Sequence, residues 1–146
     1  MIYKFEGDHR FLSNFYPVNI TYEGIIYPSV EHAYVAAKTH DFEFKKMVAK
    51  LPDYQAGKAK RLGRKVKLRP DWDKVKDEIM YSLLEKKFST PILRELLLET
   101  GDEFLMEGNY WHDNYWGVCN CGKCTGGKNK LGNMLYKIRE GIKNDE

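Results

Sequence analysis

The stretch Ser29-Val-Glu31-His32-Ala33-Tyr34-Val-Ala-Ala-Lys38 carries side chains that could do acid–base or covalent chemistry. Glu31, Tyr34 and Lys38 stand at i, i+3 and i+7, so a helix places a carboxylate, a phenol and an amine on one face. That face has two readings: an ordinary charged solvent face, or a carboxylate and an amine projecting into one cleft. Glu31 would fall in the first helical turn, where the helix dipole favours the ionised carboxylate by about 0.3–1 kcal/mol. An ionised carboxylate suits stabilising a developing cation or orienting water, and suits general-acid work poorly.

Three further segments carry chemistry. Lys58, Lys60, Arg61, Arg64, Lys65, Lys67 and Arg69 occur with no acid among them. They read either as a solvated basic face or as an anion site, with Arg64 after Gly63 as a bidentate phosphate ligand. Asn109-Tyr110-Trp111-His112-Asp113-Asn114-Tyr115-Trp116-Gly117 concentrates indoles, phenols and amides. Either its indoles pin a loop to the core, or it stacks a planar heterocycle while Asn and Asp bond the edge. Cys119, Cys121 and Cys124 lie close enough for a structural zinc with His112 as fourth ligand, or they are free thiols. No dinucleotide, P-loop, zincin or serine-hydrolase motif is present in the sequence.

The elements that must position these groups are mostly helical. Met1 to Tyr27 mixes aromatic and β-branched residues with turn formers and reads as short strands, with a hairpin turn at Glu23-Gly24. Ser29 caps the first helix, and a second covers roughly Phe42 to Ala49. Tyr54 to Leu62 is weaker and basic. Asp71 caps a long helix with the stripe Trp72, Val75, Ile79, Leu83, Leu84, ending near Phe88. Thr90-Pro91 opens another helix and Gly101 closes it in the left-handed conformation. Asp102 to Lys128 has no period. Asn129 caps a final helix whose core face is Leu131, Leu135, Ile138 and Ile142. The expectation is α+β: one helix-rich domain, residues 1–146, with a small N-terminal sheet.

Composition narrows the class. The chain has 146 residues, of which 42% are hydrophobic and 31% charged, too apolar for a disordered chain and long enough to bury a core without staples. Net charge is +3, which permits an anionic ligand and argues against a dedicated nucleic-acid-binding zinc module. No apolar run reaches a membrane span, and charges at Lys4, Glu6, Asp8 and Arg10 occupy the place of a signal peptide's apolar stretch. A cytoplasmic location and no membrane partner are therefore expected.

Taken in order, the motifs resemble the YbiA/NADAR family over nearly the whole chain. They are Phe11-Leu-Ser-Asn14-Phe-Tyr-Pro17, Tyr27-Pro-Ser29-Val-Glu31-His-Ala-Tyr34 through Lys38, and Gly63-Arg64 through Asp71-Trp72. Thr100-Gly-Asp102, Asn109-Tyr-Trp111, Trp116-Gly117 and Gly127-Lys-Asn129-Lys-Leu-Gly132 with Ile138-Arg139 follow. The resemblance implies a hydrolase of N-glycosidic bonds that needs no cofactor. Its partner would be a phosphorylated nucleotide-like molecule: a ribosylaminopyrimidine intermediate of riboflavin synthesis, or an ADP-ribosyl-guanine in nucleic acid. It places Asn14 and Asp102 at the substrate, with Tyr34, Arg64 and Asn109 beside them and Trp111 or Trp116 stacking the base. In that setting Glu31 faces the sugar carbon, and Lys38 acts as proton donor or as an amine forming a Schiff base. A non-catalytic binder of ADP-ribose or a related nucleotide would use the same residues.

Overall fold

The computed structural model describes residues 1–145 and separates into two compact units, residues 14–87 and residues 1–13 together with 88 onward. Each is built from short elements around its own buried side chains, and helix dominates both, as an α+β fold.

In the 14–87 unit, β1 (Ile20–Tyr22) and β2 (Ile25–Tyr27) pair antiparallel with Tyr22 opposite Ile25. Glu23 and Gly24 both have positive φ, 49° and 83°, the two-residue turn whose twist suits a hairpin. Ser29 then starts α1 (Val30–Ala37), its Oγ accepting from the His32 N–H at 3.1 Å and lying 2.6 Å from His32 Nδ1. Asp41 caps α2 (Phe42–Lys50) by accepting from the Glu43 and Phe44 N–H groups. The weak basic stretch folds as α3 (Ala56–Gly63).

The long helix is α4 (Trp72–Lys87). Asp71 precedes it, but its carboxylate does not cap the helix: it accepts from Arg69 Nε at 2.6 Å and Nη2 at 3.1 Å, and only the Asp71 carbonyl takes the first helical bonds, from Lys74 and Val75. A guanidinium two residues away offers a charge-assisted pair, which outcompetes a neutral N–H. Trp72, Leu83 and Leu84 of the expected stripe are buried, whereas Val75 and Ile79 are half-buried and Met80 takes the inner place. All eight residues of α1 are buried, because α2, α3 and α4 all pack on it. Ala33, Ala36 and Ala37 keep α1 thin enough for that.

In the other unit the chain start is not a run of strands. Only Ile2 forms a bridge, with Leu105, and Gly7–Leu12 winds as a 3-10 turn that buries Phe11 and Leu12. Gly7 at φ 58° breaks the extended run. Pro91 opens α5 (Pro91–Glu99), and Gly101, at φ 63°, follows Thr100 to end it. The segment without a period holds a second small ladder, β3 (Gly108–Asn109) parallel to β4 (Val118–Cys119).

The last helix is α6 (Lys130–Asn144), burying Leu131, Leu135, Ile138 and Arg139, with Ile142 only half-buried. Arg139 is fully buried and donates to Thr100 Oγ1 and the Glu103 carbonyl, each at 2.8 Å. Asn129 precedes α6 but does not cap it. Held at φ 49°, its Oδ1 accepts from the Glu107 N–H and its Nδ2 donates to the Leu105 carbonyl, so it ties the loop before β3. No described helix is long and apolar enough to cross a membrane.

Candidate active site

The solvent-face reading of α1 fails. Glu31 is 8% exposed and Tyr34 7%, on a helix with no solvent face at all. Burying a carboxylate that far costs free energy unless polar groups compensate, so its place in the family of core positions calls for a function or a network. The backbone at Glu31 is tied to Asn14, whose carbonyl accepts from the Glu31 N–H at 3.0 Å. Asn14 Nδ2 lies 3.6 Å from Met80 Sδ, while its buried Oδ1 has no hydrogen-bond donor. A buried polar atom left open in this way is uncommon in a folded chain.

Lys38 ends α1, and its Nζ donates to the Gly63 carbonyl at 3.4 Å and stands 5.7 Å from the Tyr34 ring centroid. Tyr34 in turn packs on Trp72, with centroids 5.1 Å apart and planes tilted at 55°. The approach of α3 to α1 depends on Gly63: a Cβ there would lie 3.0 and 3.1 Å from the two Val35 methyls and 3.5 Å from Lys38 Nζ. Burial lowers the Lys38 pKa from its ordinary value. Glu31 opposes that shift, and the charges of Arg64, Lys60 and Lys76 add to it. A carboxylate, a phenol and a weakened ammonium therefore share one electrostatic neighbourhood within this unit.

Arg64 is exposed at the end of α3. Its place in the basic run is mirrored by most of its neighbours, since Lys58, Arg61, Lys65 and Lys67 are also exposed. Lys76 joins the Lys38 environment without any sequence signal, and the sequence places Lys60 only in the basic run, not as a neighbour of Lys38. They are remote in the chain and arrive there on α3 and α4, so only packing could have revealed them.

The remaining sequence-predicted residues lie in the other unit. Asp102 follows α5 with its side chain 95% exposed and pairs with Lys143 Nζ at 2.6 Å, which lowers its pKa. Asn109 is buried and its amide is engaged by its own loop. Nδ2 donates to the Asp113 carbonyl at 2.9 Å and to Glu107 Oε2 at 3.2 Å, and Oδ1 accepts from the Asp113 N–H. Asp113 Oδ1 accepts from the Tyr115 and Trp116 N–H groups. Thus amides and carboxylates, rather than indoles, organise the loop. Trp116 is half-buried edge-on to Tyr115, and Trp111 is 50% exposed. His112, Cys119, Cys121 and Cys124 come together, their ligand atoms all within 4.8 Å of one another.

Fold and site are those of a small α+β domain with a buried carboxylate and a weakened amine on one short helix, and comparison with known proteins supplies its class. The NADAR domain model matches residues 2–143, through both units. An N-glycosidase of Nostoc punctiforme is 40% identical over 149 residues, covering 97% of this chain and 91% of that protein. The N-glycosidase YbiA of Escherichia coli is 32% identical over 139 residues, covering 94% and 84%. A riboflavin biosynthesis protein of Vibrio vulnificus is 39% identical over 145 residues, and the chain spans 38% of its length. The NMR structure of E. coli YbiA superimposes with a TM-score of 0.82 at 33% identity, covering 99% of this chain and 84% of that one. The chain belongs to the NADAR family.

Proposed function

We propose that this chain hydrolyses the bond between ribose C1 and a nitrogen of a phosphorylated nucleotide-like molecule, of the ribosylaminopyrimidine or guanine-like type. The observation that carries the reading is Glu31, a carboxylate buried on the same helix face as Tyr34 and coupled electrostatically to Lys38. The names of the relatives matched over most of their length, N-glycosidases, support the reaction class. The riboflavin relative supports a ribosylaminopyrimidine substrate.

Breaking a ribosyl C1–N bond builds positive charge on C1 and the ring oxygen while the nitrogen departs. Glu31 stabilises that charge in a water-poor site, where a fixed carboxylate acts far more strongly than in water. The open Oδ1 of Asn14 accepts a ribose hydroxyl. Arg64, on the exposed end of α3, meets the phosphate.

Lys38 has two available roles, and its surroundings favour the amine. Burial and neighbouring cations raise the fraction of neutral amine, which is the nucleophilic form. On this route the base nitrogen's lone pair opens the ribose by breaking C1–O, the ring oxygen takes a proton, and the charge that Glu31 faces lies on C1 and that nitrogen. The neutral Lys38 amine then adds to C1, passes its proton to the base nitrogen and expels it, leaving a lysine imine. Water then hydrolyses the lysine imine, releasing the sugar phosphate and restoring the amine. Lys38 as proton donor is the other route.

Glu31→Gln and Lys38→Ala, both folded, are expected to lose release of free sugar phosphate by about 10²-fold or more. Wild-type rates in either variant would refute its role. Borohydride should trap a sugar on Lys38, and its repeated absence would assign Lys38 to proton donation. A substrate panel of a ribosylaminopyrimidine phosphate and guanine-ADP-ribosylated DNA separates the two substrate types. Binding of both without product would mark a non-catalytic module.

A further inference from the structure

The four-residue cluster on the aromatic loop has the shape of a metal centre. His112 Nδ1 lies 3.3 Å from Cys124 Sγ, 3.6 Å from Cys121 Sγ and 3.7 Å from Cys119 Sγ. An imidazole nitrogen has a single proton or a single lone pair, so it makes one good hydrogen bond and cannot serve three sulfurs at once. Three near-equal distances from one nitrogen are what a tetrahedron requires. With Zn–N of about 2.0–2.1 Å and Zn–S of about 2.3 Å, the nitrogen vertex falls about 3.6 Å from each sulfur.

The backbone is shaped for the same end. His112 is a non-glycine residue at φ 69°, a conformation uncommon for side-chain-bearing residues, and it turns the imidazole onto the thiols. Gly122, at φ 88°, lets the chain reverse between Cys121 and Cys124, and the Lys123 N–H donates to Cys121 Sγ at 3.4 Å. Such a donor favours the thiolate, the form that binds metal. Three soft thiolates with one imidazole select Zn2+ over Mg2+ or Ca2+, which take oxygen ligands.

We infer that His112, Cys119, Cys121 and Cys124 bind one Zn2+ and that this ion fastens the loop bearing Trp111 and Trp116. Cys119 lies in β4, directly opposite Asn109 of β3, and His112 leaves β3 three residues later. A ladder of two residues per strand is too short to hold itself. The metal closes the turn from His112 to Cys119 and adds the Cys121–Cys124 reversal as a third tie. No glycosidic chemistry passes through it, so this inference stands apart from the proposed reaction.

The test uses the full chain, purified reduced and stripped with a chelator. Zinc should return at one equivalent, and Co2+ should give the intense visible bands of a tetrahedral thiolate site. In the Cys121→Ser/Cys124→Ser double variant, at two half-buried positions, zinc retained after desalting should fall to about a tenth or less. Cadmium NMR on the wild-type chain needs no variant and should report three sulfurs and one nitrogen. Removing zinc should raise amide exchange across residues 109–124 by about tenfold or more, while residues 131–144 of α6 keep their protection. Substoichiometric metal, equal uptake by the double variant, or oxygen-type cobalt or cadmium spectra would overturn the site. One bound equivalent with unchanged loop exchange would overturn the fastening.

Discussion

Replacing Lys87 by methionine should make the protein more stable near neutral pH and flatten its response to alkali. Lys87 lies in the last turn of α4 with its side chain entirely removed from solvent, and that burial pushes its ammonium down from 10.5 to about 7. Because the folded pKa lies below the unfolded one, the penalty is complete below about pH 7, where both states carry the proton. It fades as pH climbs toward the unfolded value, where neither does. At about 1.4 kcal/mol per pKa unit, the ceiling is about 5 kcal/mol. The Tyr16 ring, its centroid 5.7 Å from Nζ, offsets about 1–2 kcal/mol of that ceiling.

Wild-type stability should therefore gain about 2 kcal/mol between about pH 7 and pH 9 from this group. Methionine keeps most of the side-chain volume and removes the charge, a change that is neutral or favourable when a buried charge is replaced by an apolar group. Urea titrations of both proteins at each pH measure the difference, which cancels the slope of the same sign from Lys38. Work should stay below about pH 10, since the Tyr27 phenol, pushed up to about 12 by burial, would destabilise the fold as the unfolded phenol ionises. Equal pH slopes in the two proteins would refute the assignment.

Three shorter tests address the framework of the site. Gly63→Ala gains about 1 kcal/mol of helix propensity but meets the Val35 methyls, an overpacking cost of about 1–3 kcal/mol. It should lower the melting temperature slightly and turnover more, and Val35→Ala in the same chain should restore both. Asn129→Ala removes one buried and one part-buried hydrogen bond and keeps a left-handed backbone, so urea melts should show a loss of about 2–4 kcal/mol. Glu31→Gln removes the group that holds the Lys38 pKa up, so an NMR titration of labelled Lys38 should shift to lower pH than in wild type. An unchanged or higher midpoint would mean the two side chains are not coupled.

Local rules were sufficient where a residue's own chemistry decides its conformation. Ser29, Pro91, Gly101 and the Glu23-Gly24 turn all act where their types predict, because caps and positive φ depend on neighbours within a few residues. The same rules misjudged Asp71 and Asn129, whose polar side chains found better partners than the nearest helix N–H groups. They also read strands into residues 1–13, where Gly7 and burial of Phe11 and Leu12 produce a 3-10 turn.

The primary structure alone determined the order of family motifs, the helical register that aligns Glu31, Tyr34 and Lys38, and the grouping of three thiols. Periodicity states which residues share a face, not what covers it. Only tertiary packing buried that face beneath α2, α3 and α4, brought Lys60, Arg64 and Lys76 to bear on the Lys38 amine, and swung His112 onto the cysteines. Desolvation and through-space charge act over ångströms between residues far apart in the chain, and chain order does not encode those distances directly.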